Sequence, residues 1–256
     1  MSSSDLKRQF DDAGFVVIRG FLNPQLLHEL RSELDRYITQ VVPTLPDWHA
    51  FYDDRARPET LKQMQHMSQD AWFRDSVIQP HWRQLAETLV GESATCESPE
   101  WFNKPPGTRH PTPPHQDNYY FNLKPANVVT IWVALDPVDD ENGCLRYIPG
   151  SHRAGFRPHQ RSQVLGFSQG ISDYGPADAQ AEVRVPLQPG DATAHHGMTI
   201  HRAEPNQSTT RHRRAFAMVF KGASCQLDQE GYARYQANYE KQQTELGLQP
   251  MPTIKS

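Results

Sequence analysis

Cysteine is scarce in this chain: Cys96, Cys144 and Cys225 are its only three in 256 residues, an odd number set far apart. That excludes a disulfide framework and a cysteine-built zinc site, and it leaves free thiols suited to a reducing compartment. No stretch approaches the roughly 18 uninterrupted apolar residues that a membrane span requires. The opening MSSSDLKRQFDDAG has no apolar run behind its basic residues, so no secretory leader is read there and a soluble, cytoplasmic protein is expected. Positive charge is not in excess either. Lysine plus arginine number 26 against 30 aspartate plus glutamate, a net charge of −4, which lacks the basic footprint of phosphate-backbone binding and argues against nucleic acid as a partner.

What is there is enough for one large core. At 37% hydrophobic residues over 256 positions, residues 1–256 are read as a single domain. SSSDLKRQFDDAG predicts a short helix entered through a Ser or Asp cap and stopped at Gly14, and FVVIRGFL then has the β-branched density of a strand. After Asn23, Pro24 opens a run with apolar residues at helical spacing through about Val42, an amphipathic helix. Residues 43–57 show no clear period, whereas 59–90 carry Trp72, Val77, Trp82, Leu85 and Leu89 at roughly helical intervals, which predicts one or two more helices. Beyond Gly91 the texture changes to short β-prone runs, among them CESPEWFN, HQDNYYFNL, NVVTIWVAL, CLRYI, EVRVPL, DATAHHG and RRAFAMVFKG. Helices first and strands after predict an α+β chain whose strands form a double-sheet jelly roll or barrel. Residues 150–181 have little periodicity and are expected to form a lid, and the polar stretch from Leu227 to about Leu246, with Tyr232, Tyr235 and Tyr239 at helical spacing, a surface helix.

The chemistry concentrates in PPHQDNYYF. His115 and Asp117 are two apart at the start of an expected strand, where alternate side chains share a face and converge on one ion. An imidazole and a carboxylate are two members of the 2-His-1-carboxylate set that leaves open positions on iron for a chelating cosubstrate and oxygen. Alone, His-x-Asp recurs by chance, on solvated strand ends as readily as at metals. Downstream, however, His201 precedes by twelve positions Arg213, which opens an apolar strand. A 2-oxoacid that chelates iron leaves a distal carboxylate inside the barrel, and a planar, permanently charged guanidinium is the side chain suited to neutralise it. His195 and His196 are rivals to His201, and Arg214 is the rival to Arg213 for the inward position. If one regular strand joined them, His196 and His201 would face opposite sides, and Arg213 and Arg214 do likewise, so only one of each pair serves, with Arg213 taken as the inward one. His110, His152 and His159 lie in loops, and Tyr119, Tyr120 and Phe121 serve equally as core aromatics or pocket lining; alternation would turn Tyr119 and Phe121 to the metal side.

Several separated motifs in order resemble the phytanoyl-CoA dioxygenase family: FDDAGFVVIRGFLNPQLLHELRSEL, FNKPPG before PPHQDNYYF, VTIWVALDPVDDENGCLRYIPGSHRAG, and LQPGDATAHHGMTIHRAEPNQSTTRHRRA. The resemblance implies a double-stranded β-helix (jelly-roll, cupin-like) core flanked by N-terminal helices. It further implies a Fe(II)- and 2-oxoglutarate-dependent dioxygenase that releases succinate and CO2. Carried across by position, it assigns His115, Asp117 and His201 to iron and Arg213 to the cosubstrate. It also places Asn103 and Trp132 against the cosubstrate, on strands expected to flank the HQD strand. Asp117 disfavours a halogenating variant, which needs a small residue there. One departure is Arg202-Ala203, where many relatives have Gly-Ser after the distal histidine; Ser208 or Thr130 is left to supply a hydroxyl.

Two other readings stay open at this level. Zinc accepts the same His-Asp-His set in a hydrolase or isomerase, although such an enzyme has no use for a buried arginine facing a 2-oxoacid. A binding protein that kept the fold and lost catalysis is the second. Arg153, Arg157, His159 and Arg161 in the expected lid lean the substrate toward a polar or anionic small molecule.

Overall fold

The computed structural model describes residues 2–164 and 167–245. Its first helix, Ser3–Ala13, is capped by Ser2, whose hydroxyl accepts from the Asp5 amide, and ends where Gly14 takes the left-handed conformation at φ 79°. A side chain at Gly14 would collide with His152 and Thr199, so the turn needs glycine for space as well as for φ. The second helix, Pro24–Arg36, has Asn23 as its cap and proline in its first turn, and buries Leu27, Leu30 and Leu34. It runs on through a wider turn at Tyr37–Val41. Two more helices, Ala71–Ser76 and Pro80–Val90, complete the outer layer.

Seven strands form one antiparallel sheet in the order Phe15–Ile18, Ala192–His196, Val128–Ala134, Arg213–Gly222, Pro99–Lys104, Leu61–Met64 and Ala50–Tyr52, and the short Ala94–Thr95 joins the far end of Arg213–Gly222. A four-stranded sheet runs Val183–Val185, Leu145–Tyr147, His201–Ala203, Thr112–His115. One apolar cluster lies between the large sheet and the helices and includes Phe73, Trp82, Trp101, Phe216 and Phe220. The other, with Trp132, Leu145, Tyr147, Ala215 and Ala217, joins strands of both sheets. This is the helix-flanked double-stranded β-helix that the motifs implied. Among the described residues, no helix is long and apolar enough to cross a membrane.

Four expectations need correction. Leu61–Met64 is a strand, not part of a helix: its edge pairs with Phe102 and Trp101 of Pro99–Lys104, and pairing overrides the helical spacing of the residues that follow it. HQDNYYFNL is not one strand. The strand ends at His115, Asp117 has helical angles (φ −56°, ψ −36°), and Asn118–Phe121 is a helical turn. Strand alternation therefore does not extend to Tyr119 and Phe121. The strands carrying Asn103 and Trp132 flank Arg213–Gly222 in the large sheet rather than the HQD strand.

The segment 150–181, finally, holds a hairpin, His159–Val164 with Phe167–Ile171, and a helix, Pro176–Ala181; its residues 165–166 lie outside the described residues. Gly170 of the hairpin faces Pro113, and the Tyr120 hydroxyl donates to the Gln169 carbonyl at 2.7 Å, so this segment lies along the HQD strand. The C-terminal helix is Gln229–Glu245, with Tyr235 edge-on to Tyr120 at 5.9 Å; Leu246 and the Tyr239 side chain are outside the description.

Candidate metal and cosubstrate site

Pairing across the small sheet sets His201 opposite His115, and the chain turns back at Asp117, so one atom from each residue falls within 4.8 Å of the other two. Asp117 Oδ1 lies 3.3 Å from His115 Nε2 and 3.4 Å from His201 Nε2. Backbone carbonyls decide the tautomers: Pro113 O is 2.7 Å from His115 Nδ1 and Thr199 O is 3.0 Å from His201 Nδ1. Each carbonyl requires a proton on Nδ1, which turns the Nε2 lone pair toward the carboxylate. Three acceptors facing one another at this range suit a shared cation, so the donor set fits a divalent ion. Burial keeps His201 neutral, its pKa far below the usual value, aided by repulsion from His115. The Asp117 carboxyl is held well below the ordinary range although burial opposes its ionisation.

The neighbouring histidines sit differently. His195 and His196 end one strand and His201 begins another, with Gly197–Ile200 between them. The His196 ring turns toward Phe10 and His152, its Nδ1 accepts from the Met198 amide at 3.1 Å, and burial lowers its pKa to about 4. His195 points inward, but to the other oxygen of Asp117: Nε2 to Oδ2 is 3.0 Å, with the Tyr147 hydroxyl 3.0 Å from Nδ1. Thr130 donates to the same Oδ2 at 2.7 Å. Its hydroxyl thus serves the carboxylate, while the Ser208 hydroxyl accepts from the Arg211 amide in the turn before Arg213.

Arg213 lines the cavity that His115, Asp117 and His201 also line, is 4% exposed, and lies over the Trp132 ring at 5.4 Å. Among the described residues no ion pair reaches it, and its Nε lacks a hydrogen-bond partner. Burial pulls its pKa down to about 10. Arg214 turns to the other face and forks onto Asp136, and Arg211 pairs with Asp139 and Glu141 at the surface. Asn103 borders the cavity at a register opposite Arg214; its amide donates to Leu61 O at 2.9 Å and its oxygen faces His212 at 3.3 Å.

Two charged residues on the inner face of Pro99–Lys104 escaped the motif reading. Lys104, opposite Arg213 in the sheet, is 5% exposed and donates to His110 O at 3.1 Å; burial, with Arg213 and Lys62 beside it, lowers its pKa well below the ordinary lysine value. Glu100, opposite Ala217, is pushed up to about 7 by burial and then by Asp117. Strand alternation from Arg213 is the only signal that could have found them, and it required the pairing register. Of the basic residues in 150–181, Arg153 pairs with Asp12, Arg157 with Asp173 and Asp178, and His159 stacks on Tyr119 at 4.0 Å.

Comparison with known proteins adds four observations. Residues 10–215 match the family model described as phytanoyl-CoA dioxygenase (PhyH). The peroxisomal phytanoyl-CoA dioxygenase of Bos taurus is 27% identical over 261 residues, covering 95% of this chain and 75% of the bovine protein. Among solved structures, EvdO2 from Micromonospora carbonacea var. aurantiaca, complexed with 2-oxoglutarate, superposes with a TM-score of 0.71 at 25% identity over 90% of this chain and 94% of that one. The epimerase SnoN, in complex with Fe3+, alpha ketoglutarate and nogalamycin RO, does so with a TM-score of 0.73 over 99% of this chain and 91% of its own; at 22% identity this likeness speaks to the fold alone.

Proposed function

The chain belongs to the phytanoyl-CoA dioxygenase family, and from that premise we propose that His115, Asp117 and His201 hold the iron, that Arg213 holds the cosubstrate, and that the substrate is a small polar metabolite. As a member of that family it is a non-haem Fe(II)- and 2-oxoglutarate-dependent dioxygenase. When bound, Fe(II) and 2-oxoglutarate would supply activation of O2, one of whose atoms ends in succinate, formed with loss of CO2, and the other in the hydroxyl placed on a substrate C–H bond.

The protein's part is placement and charge. The Nε2 atoms of His115 and His201 and the carboxylate of Asp117 would hold the ion, and three protein donors would leave positions on it for the cosubstrate and oxygen. The observation that carries the cosubstrate reading is the Arg213 guanidinium, buried in the same cavity without an ion pair among the described residues. An uncompensated buried cation costs several kcal/mol, so it is retained where a ligand supplies the anion. The distal carboxylate of 2-oxoglutarate fits a bidentate fork there, and Trp132 stacks beneath it. Asn103, its amide already engaged, is assigned to the cavity wall. Lys104 adds a buried amine to the cavity wall, a hydrogen-bonding group that favours a substrate with a strongly polar group. The scarcity of cysteine fits work in a reducing compartment such as the cytoplasm.

Anaerobic titration of metal-free protein with Fe(II), then 2-oxoglutarate, tests this reading. A weak visible charge-transfer band of the chelated oxoacid is expected, absent in His115→Ala and weakened in Arg213→Ala. Fe(II) binding without the band would turn the assignment toward a zinc-type hydrolytic site, and no metal binding toward a non-catalytic protein.

A further inference from the structure

The two oxygens of Asp117 have different neighbours. Oδ1 faces the Nε2 atoms of His115 and His201, whereas Oδ2 receives the Thr130 hydroxyl at 2.7 Å and faces His195 Nε2 at 3.0 Å. A carboxylate oxygen only accepts, so His195 carries its proton on Nε2 and presents a lone pair on Nδ1. That lone pair is met by the Tyr147 hydroxyl at 3.0 Å. Tyr147 is fully buried, stacked on Phe15 at 4.4 Å, and burial keeps its phenol protonated far above the usual range, so it is the donor. The tautomer of His195 is thus the reverse of that in His115 and His201, whose Nδ1 atoms donate to backbone carbonyls.

We propose that His195 is a positioning residue: with Tyr147 behind it and Thr130 beside it, it holds Oδ2 of Asp117 so that only Oδ1 is presented to the metal. The inference rests on the reading of Asp117 as a ligand. His195 is not itself a fourth ligand, because the nitrogen nearest the site carries a hydrogen that points at Oδ2. The arrangement has a purpose in an enzyme whose metal must accept a chelating oxoacid. A carboxylate free to rotate would turn both oxygens onto the ion and take a position the cosubstrate needs, and two fixed donors on Oδ2 prevent that. The three groups that hold Oδ2 are buried: His195 is 2% exposed, Tyr147 0% and Thr130 6%.

Calorimetric titration of the full-length metal-free protein with Co(II) tests the proposal. His195→Leu removes the donor and is expected to weaken Co(II) binding about 10- to 100-fold, the range for loss of a group that orients a ligand, while the melting temperature of the metal-free protein stays close to wild type. His195→Gln, whose side-chain amide can replace the Nε2–H, is expected to recover binding to within about threefold of wild type. Tyr147→Phe leaves the imidazole in place but frees its tautomer, and a loss of about threefold to tenfold is expected. Loss of equal size in the Leu and Gln variants would mean that His195 acts by packing alone and would overturn the proposal, as would wild-type affinity in His195→Leu. If His195→Leu fails to fold, the Gln and Tyr147→Phe variants decide, since wild-type affinity in Tyr147→Phe removes the relay. Asp117→Ala separates the two levels: it must abolish binding if Asp117 is a ligand, and if it does not, the ligand reading itself falls.

Discussion

The strand Arg213–Gly222 presents two faces that obey different rules. Outward, Phe216, Met218 and Phe220 are fully buried against the helices, and Phe216 meets both Phe73 and Trp82 with ring centroids 5.9 Å apart. Inward, the same strand offers Ala215 and Ala217, which leave room between the sheets. The two arginines at its start repeat the contrast: Arg214 is neutralised by Asp136, and Arg213 is buried with no ion pair among the described residues. The outer face is solved for stability, with large apolar groups packed and charges matched. Along the inner face space and charge are left over, and leftover charge in a dry cavity is what binds a charged ligand.

Breaking the outer face has the largest effect on stability. Phe216→Ala is expected to cost about 3–5 kcal/mol in urea unfolding, because it removes an aromatic side chain from a packed core and leaves a cavity. The metal affinity of the fraction that stays folded should change little, since Phe216 faces away from the site. A loss of metal affinity as large as the loss of stability would mean that the two faces are coupled and the division is false.

Breaking the inner face gives the opposite signature. Arg213→Met preserves bulk and removes the unmatched charge, so the metal-free protein should be as stable as wild type or more so. Affinity for 2-oxoglutarate should fall by about 2–3 kcal/mol, the loss of a charge-assisted pair. Equilibrium binding to the Mn(II)-loaded protein against urea unfolding without metal separates the two terms. An Arg213→Met protein that binds 2-oxoglutarate normally would sink the cosubstrate assignment. One that merely unfolds would show that Arg213 has a structural partner.

This two-faced logic also explains what could be read in advance. RRAFAMVFKG alternates large and small residues, so both its strand character and the inward turn of one arginine were legible. The helices at Ser3–Ala13 and Pro24–Arg36 announce themselves by cap and periodicity together. LKQM at 61–64 has no such signature. It contains no β-branched residue, and only the neighbouring strand makes it one. His115, Asp117 and His201 were legible as residue types, but the path that joins them was not: Asp117 reaches the cluster from a helical turn, and His201 from a strand separated from His195 by a tight turn. Glu100 and Lys104 have no local motif, and their inward direction follows from pairing with Ala217 and Arg213, more than a hundred residues away in the chain.

Glu100 offers the smallest and most discriminating test of the inner face. Its carboxyl pKa is raised to about 7 from an ordinary 4.5, first by burial and then by the charge on Asp117. Between those two values the unfolded chain has already lost the proton that the folded chain keeps, so stability falls as pH rises through this window. Below it both states are protonated and no penalty exists. Above it the penalty is complete, on the order of 1–2 kcal/mol once water in the cavity is allowed for. Metal-free wild type should therefore lose stability from about pH 5 to about pH 7.5 relative to Glu100→Gln, whose neutral amide has no such transition. A divalent ion at Asp117 cancels the charge that helps raise the Glu100 pKa, so metal should move the window to lower pH and narrow it. A Glu100→Gln profile parallel to wild type would show that this carboxyl is as well matched as those on the outer face. A window present in both metal-free and loaded protein, and unmoved between them, would instead assign the whole shift to burial and detach Glu100 from the metal site.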